Sequence, residues 1–150
     1  MVSRVTFIAY AVTFVLFLFY PLNRKKLEAL QEELSLARAK RNEEILAENA
    51  SAGDVICLTG DLGTGKTVFA QGYAEGLGIT EHVNSPTFTI LQVYEGGRLP
   101  MYHFDVYRIE DPSEMEETGF DDYIFGDGGC LIEWAELIEE ILPAGRTEVL

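Results

Sequence analysis

Eight consecutive residues carry the densest chemistry in this chain: Gly60, Asp61, Leu62, Gly63, Thr64, Gly65, Lys66 and Thr67. Their order is G-x-x-x-x-G-K-T, the Walker A phosphate-binding loop. Glycine at 60, 63 and 65 admits backbone conformations closed to residues with a Cβ. Successive N–H groups can then turn inward around a phosphate, at the positive end of the helix that follows. Lys66 is expected to reach the β- and γ-phosphates of a nucleotide, and the Thr67 hydroxyl to hold Mg2+. Glu133 ends the apolar run Cys130-Leu131-Ile132. Such a strand end is where a nucleotide site places the carboxylate that holds the metal shell or orients water. Asp105, between Phe104 and Val106, is a second candidate, with a structural pairing to Arg108 as its alternative. Thr87, in Ser85-Pro86-Thr87, can sense metal or γ-phosphate as a switch segment does, although Ser-Pro-Thr is also ordinary loop chemistry. Trp134 adjoins Glu133 and reads either as a nucleotide contact or as core. His103 reads as a satisfied strand histidine, and Arg108 as a bridge to acidic neighbours.

The elements around these residues give the loop its context. Asp54-Val55-Ile56-Cys57-Leu58-Thr59 reads as a buried strand, and Val68 to Leu77 as a helix ended by Gly78. Strand, glycine-rich loop and helix is the order the motif requires. Residues 79–87 read as a loop. Phe88–Tyr94 and Leu99–Tyr107 read as two strands joined by the turn Glu95-Gly96-Gly97-Arg98, hence a hairpin. Asp111-Pro112-Ser113-Glu114 opens a short acidic helix, Gly128–Trp134 is a further strand, Ala135–Leu142 a helix, and Thr147 starts a last strand. The hairpin departs from strict β-α alternation, so the fold class expected is α/β with a mixed sheet flanked by helices.

The chain has 150 residues, 47% of them hydrophobic, enough for one compact core. Its formal net charge is −14 and is unevenly spread: residues 54–150 hold four Lys/Arg against nineteen Asp/Glu. Such a surface repels a nucleic-acid backbone and argues against tight direct binding of RNA or DNA. It suits a basic protein partner or serves solubility alone. Cys57 and Cys130 lack metal-ligand spacing and lie in apolar runs, so they read as buried free thiols of a reducing compartment.

Upstream, residues 5–22 carry no charged side chain. As a helix they would span about 27 Å, the short end for a bilayer. The flank Asn23-Arg24-Lys25-Lys26 is basic and would keep the remainder on the cytoplasmic side. Two readings stand for residues 1–26, a membrane anchor and a translated upstream stretch, with a buried core element behind both. Residues 27–52 read as a linker helix with the narrow stripe Leu27, Leu30, Leu34 and Ala37, restarting at Ile45 and Leu46. Residues 53–150 would then be the nucleotide-binding domain.

Taken in order, these stretches resemble the TsaE (YjeE) family, the bacterial ATPase of tRNA threonylcarbamoyladenosine (t6A) biosynthesis. The matching runs are Gly53-Asp54-Val55-Ile56, Leu58 through Thr67, Ser85-Pro86-Thr87-Phe88, His103-Phe104-Asp105-Val106-Tyr107-Arg108 and Leu131-Ile132-Glu133-Trp134. The resemblance covers about two thirds of the chain, residues 50–150. It implies a small P-loop fold, ATP and Mg2+ as ligands, weak intrinsic hydrolysis, and cytoplasmic work with a TsaD–TsaB pair that modifies adenosine 37 of tRNA. The tRNA would be held by those partners. It further implies Thr67 and Glu133 at the metal, Asp105 near the site and Thr87 in a switch-like loop. Two departures stand out. Where the family begins with a strand and a short helix, residues 1–26 are apolar and then basic. The family also continues past the last helix into further strand, so residues 53–150 are expected to lack part of the sheet.

Competing readings are a membrane-tethered P-loop kinase of a small molecule, a regulatory nucleotide-binding protein, and an inactive interaction module. A kinase should add several arginines over its second substrate, yet only Lys66, Arg98, Arg108 and Arg146 are basic after residue 53. Intact Lys66 and Thr67 argue against an inactive module.

Overall fold

The computed structural model describes residues 4–149, with side chains described from Arg24 onward. Helix α1 runs Arg4–Asn49. The chain divides into two compact units, parted between Ala39 and Lys40. In the upstream unit the stripe residues Leu27, Leu30 and Leu34 are exposed. The apolar stretch 5–22, read above as a bilayer span or a translated upstream stretch, lies outside the residues whose side chains are described. Among the described residues no helix is long and apolar enough to cross a membrane.

Among the described residues the downstream unit is built on five strands: β1 (Val55–Leu58), β2 (Leu91–Tyr94), β3 (Met101–Asp105), β4 (Gly129–Glu133) and β5 (Thr147–Val149). Their order across the sheet is β2-β3-β4-β1-β5. β2 and β3 pair antiparallel as a hairpin, and every other pairing is parallel. This is the mixed α/β sheet expected from the sequence. β1, β3 and β4 are buried along their whole length, as strands must be when both faces of a sheet are covered.

One face carries α2 (Lys66–Gly76). Ala70, Tyr73, Ala74 and Leu77 recur at helical spacing and pack with Ile56, Leu58, Met101 and Leu131. The helix stops at Gly78, whose φ of 82° lets Ile79 N–H reach back to the Ala74 carbonyl at 3.0 Å. The other face buries Val55, Cys57, Phe104 and Ile132 under the segment 109–138, with Phe104 edge-on to Phe120 at 5.2 Å. Both thiols are free and buried, and burial pushes Cys57 up to about 11 and Cys130 up to about 12.

Several boundaries differ from the sequence reading. β2 begins at Leu91 rather than Phe88, because Pro86–Ile90 folds into a turn. Thr89 and Ile90 N–H both donate to the Pro86 carbonyl, and Ile90 takes a φ of 65°. The acidic helix is a 3-10 segment, Pro112–Thr118, opened by a capping box between Asp111 and Glu114. Ala135–Ile141 is also 3-10, broken at Ile138. A short α3 (Phe120–Ile124) had no sequence signal. At the end of α1, Glu43, Ala47 and Ala50 are the buried residues, whereas Ile45 is exposed. Arg98, in the β2–β3 turn, donates to the Ala50 carbonyl at 2.9 Å and to the Ala47 carbonyl, closing that helix end.

Candidate functional site

β1 ends at Leu58, and the chain turns through the glycine-rich loop into α2. Gly60 at φ 120° and Gly65 at φ 94° occupy backbone regions that a side chain would strain. Gly65 is the residue immediately before α2, and no side chain caps that helix. The start of the helix is thus left without a side-chain acceptor, and Gly65, Lys66 and Thr67 line a cleft at the carboxyl ends of β1 and β4, where open α/β sheets bind ligands.

A cleft of about 520 Å³ opens there, lined by loop residues Leu62, Gly63, Gly65, Lys66 and Thr67 and by Ser85, Thr87, Asp105, Arg108, Glu133 and Trp134. The structure thus brings Thr87, Asp105, Glu133 and Trp134 together with the loop. Gly60, Asp61 and Thr64 shape the loop rather than line the cleft. The Asp61 carbonyl accepts from Thr64 Oγ1 at 2.9 Å and from Lys66 Nζ at 3.0 Å. Lys66 Nζ also donates to the Gly60 carbonyl at 2.6 Å and lies 3.6 Å from the centre of the Trp134 ring. The ammonium is thus turned back onto its own loop and onto an aromatic face. Trp134 itself has φ 65° and ψ 35°, a left-handed conformation rare for a bulky residue, and its ring meets that of Tyr107 at 4.8 Å, tilted by 47°.

The carboxylates differ sharply. β3 and β4 run parallel with Asp105 opposite Glu133, so both side chains emerge on one face at the strand ends. Both are buried. Glu133 Oε2 accepts from the Thr67 hydroxyl at 3.2 Å. Its Oε1 faces His103 Nε2 at 2.9 Å. Asp105 instead accepts from Ser85 Oγ at 2.5 Å and from the Tyr107 N–H at 3.1 Å. It ties the 85–87 loop to the strand end, and no pairing with Arg108 forms. Arg108 lies over the Phe88 ring at 4.4 Å. Among the described residues it has no acidic partner, contrary to the bridge expected from sequence. His103, read above as a satisfied strand histidine, is buried on β3 and meets Glu133, a contact that no spacing in the sequence signals.

Among the described residues no cluster of three or more His, Cys, Asp or Glu stands ready to hold a metal ion. Thr67 and Glu133 instead present two hard oxygen donors side by side beside the phosphate loop. That fits Mg2+, which takes one or two protein oxygens and completes its shell with phosphate and water.

Comparison with known proteins matches this arrangement. The family described as "Threonylcarbamoyl adenosine biosynthesis protein TsaE" matches residues 34–150. A Bacillus subtilis (strain 168) protein named "tRNA threonylcarbamoyladenosine biosynthesis protein TsaE" is 58% identical over 106 residues, covering 71% of this chain and 66% of that protein. Proteins of the same name from Treponema pallidum and Haemophilus influenzae are 47% and 40% identical, over 61% and 76% of this chain and 67% and 73% of their own lengths. The crystal structure of Bacillus subtilis YdiB superposes with a TM-score of 0.60 at 50% identity, covering 71% of this chain and 64% of that one. The chain thus spans about two thirds of the length of the first of these relatives. The family match takes in the glycine-rich loop, the 85–87 segment and the paired strand ends carrying Asp105 and Glu133, and the chain belongs to the TsaE family.

Proposed function

We propose that this chain binds ATP with Mg2+ and hydrolyses it slowly, as the nucleotide-driven component of tRNA N6-threonylcarbamoyladenosine formation. The observation that carries the reading is the contact between Glu133 Oε2 and the Thr67 hydroxyl at 3.2 Å, at the mouth of the glycine-rich loop. It sets a carboxylate beside a metal-ligand hydroxyl where the γ-phosphate of a bound nucleotide would lie.

The loop N–H groups and the end of α2 cradle the phosphates. Lys66 swings off its carbonyls to neutralise them. Thr67 and Glu133 would hold the Mg2+, which when bound would supply charge neutralisation to the phosphates. Glu133 also orients the attacking water, and Thr87, on the loop that Asp105 fastens, senses the γ-phosphate. Trp134, which lines the cleft, would be freed of the ammonium and left open to the nucleotide. The partner is a TsaD–TsaB-like transferase that modifies adenosine 37, and the cytoplasm, where such thiols stay reduced, is the compartment. An acidic surface is poorly suited to hold tRNA, so the RNA is contacted through the partner.

The test is a pull-down with TsaD and TsaB, with and without MgATP. Retention of both partners in a nucleotide-dependent manner supports the reading. A folded protein that binds MgATP yet captures neither partner under either condition overturns its partner half. Calorimetry showing no MgATP binding overturns the whole.

A further inference from the structure

We propose that His103 is a positioning residue for Glu133. Its buried imidazole fixes the carboxylate, so that the second oxygen stays turned toward Thr67 and the metal-and-water position. The inference rests on the ATP-hydrolysis reading above and adds a residue to it.

Strand alternation puts the two side chains together. On β3, Met101, His103 and Asp105 share one face; on β4, Leu131 and Glu133 do. Met101 and Leu131 lie in the core under α2, so His103, Asp105 and Glu133 face α2 as well. The β3–β4 register sets His103 opposite Leu131 and Asp105 opposite Glu133. His103 is therefore one diagonal step behind Glu133, within reach of a long carboxylate. The imidazole is wholly buried and Glu133 nearly so, and their 2.9 Å contact excludes intervening water.

The donor set of Glu133 shows what His103 contributes. Oε2 has the Thr67 hydroxyl, a donor that also serves as a metal ligand in the reading above, and among the described residues Oε1 has His103 alone. Asp105 is occupied by Ser85 and the Tyr107 N–H. The other ring nitrogen of His103, Nδ1, is buried with no partner among the described residues. The tautomer assigned by this network puts the proton on Nε2, donated to Oε1, and leaves only a lone pair on Nδ1. A proton on Nδ1 instead would strand an N–H in the core and set two acceptors against each other at 2.9 Å. Without His103 the carboxylate could turn about its last torsion, which is broad for glutamate. A catalytic group displaced by about 1 Å loses roughly a hundredfold in rate.

Two measurements test this on the full chain. The first is the 15N spectrum of the two histidines, His82 and His103, without nucleotide. Nε2 of His103 should carry the proton, and Glu133→Gln should shift that proton's resonance. A proton on Nδ1 with none on Nε2, or a resonance indifferent to Glu133, overturns the proposal whatever the protein's activity. The second compares His103→Leu with His103→Gln, whose amide N–H can stand near the place of Nε2. His103→Leu should lower kcat at least tenfold while the MgATP dissociation constant stays within about threefold, and His103→Gln should recover most of the loss. In a Glu133→Gln background neither change should lower kcat further. Wild-type kcat in a folded His103→Leu protein overturns the proposal, as does an equal loss in both variants. If His103→Leu fails to fold, the Gln variant and the spectrum decide alone. Absence of hydrolysis by the wild type, with or without partners, overturns the functional reading. The spectrum then still decides whether His103 fixes the carboxylate.

Discussion

Replacing Glu133 with glutamine separates binding from turnover. The wild-type carboxylate is buried and has two contacts, Oε1 with His103 at 2.9 Å and Oε2 with the Thr67 hydroxyl at 3.2 Å. Glutamine has nearly the same shape. Its carbonyl can keep the His103 bond, and its amide can donate to the Thr67 oxygen. Two charge-assisted bonds of about 1.5–3 kcal/mol become neutral ones of about 0.5–1.5 kcal/mol. Against this, a buried charge whose desolvation is unfavourable by several kcal/mol is removed. The opposing terms leave folding stability within about 2 kcal/mol of the parent. MgATP affinity should stay within about threefold, under ~0.7 kcal/mol, because the loop N–H groups and Lys66 hold the phosphates. Hydrolysis should fall at least tenfold, about 1.4 kcal/mol or more in the barrier, because the full charge that orients water is gone. Calorimetry, phosphate release and multiple-turnover tRNA modification should be run on one preparation. Wild-type hydrolysis by the folded variant would refute the reasoning and move the role to Asp105. A parallel fall in affinity and rate would show instead that the charge of Glu133 is needed chiefly to hold the metal that accompanies the nucleotide, and not to orient water. Lost hydrolysis with full multiple-turnover modification would break the link between the ATPase cycle and the partner.

Lys66→Ala should weaken MgATP binding at least tenfold, about 1.4 kcal/mol, in a protein that still folds, as measured by calorimetry. Gly76→Ala should destabilise the downstream unit. Its Cβ would meet the Ala47 Cβ at 2.5 Å, and overpacking of about 1–3 kcal/mol outweighs a helix-propensity gain of about 1 kcal/mol; the denaturant midpoint should fall with its slope unchanged. Burial raises the Glu43 carboxyl above its ordinary 4.5, opposed by Lys40 and reinforced by Glu44 and Glu75. A folded-state value raised in this way favours the fold at low pH. Its contribution is fully present below 4.5 and lost as pH rises through the folded value. Glu43→Gln should therefore melt above the parent at neutral pH, and thermal melts should show the difference disappearing below pH 4.5.

What could be read from the sequence was local. The loop letters name their own backbone geometry, and the apolar run before them can only be a buried strand. Glu133 was visible because it ends such a run, and the hairpin because Gly96-Gly97 separates two β-rich stretches. The rest depended on register and long-range packing. His103 matters only because β3 lies beside β4 in one particular alignment, and no spacing within 101–105 reveals its neighbour. Arg108 looked electrostatic among acidic residues, yet it lies over Phe88, which the turn at 86–90 lifts out of the strand predicted for it. Arg98 closes a helix some 50 residues upstream, a contact that propensity cannot anticipate. The 3-10 segments kept the expected positions but not the expected winding, because short acidic stretches have few i→i+4 apolar pairs to enforce an α-turn.

The resting place of the Lys66 ammonium has a kinetic side. While it is held by the Gly60 and Asp61 carbonyls and the Trp134 face, the loop is closed upon itself. On the ATP-binding reading proposed above, a nucleotide would bind productively only to the fraction of molecules in which that grip is released. The apparent dissociation constant is the intrinsic one divided by that fraction, so a competent population of about 1% weakens binding about a hundredfold. The same residue thereby attracts phosphate and tempers the attraction. The cost falls on association: capture would wait on release of the lysine, while departure of a bound nucleotide would be untouched by it. Because Trp134 is the only tryptophan in the chain, rapid-mixing fluorescence can follow this unlatching directly, as a rate that levels off when ATP is raised.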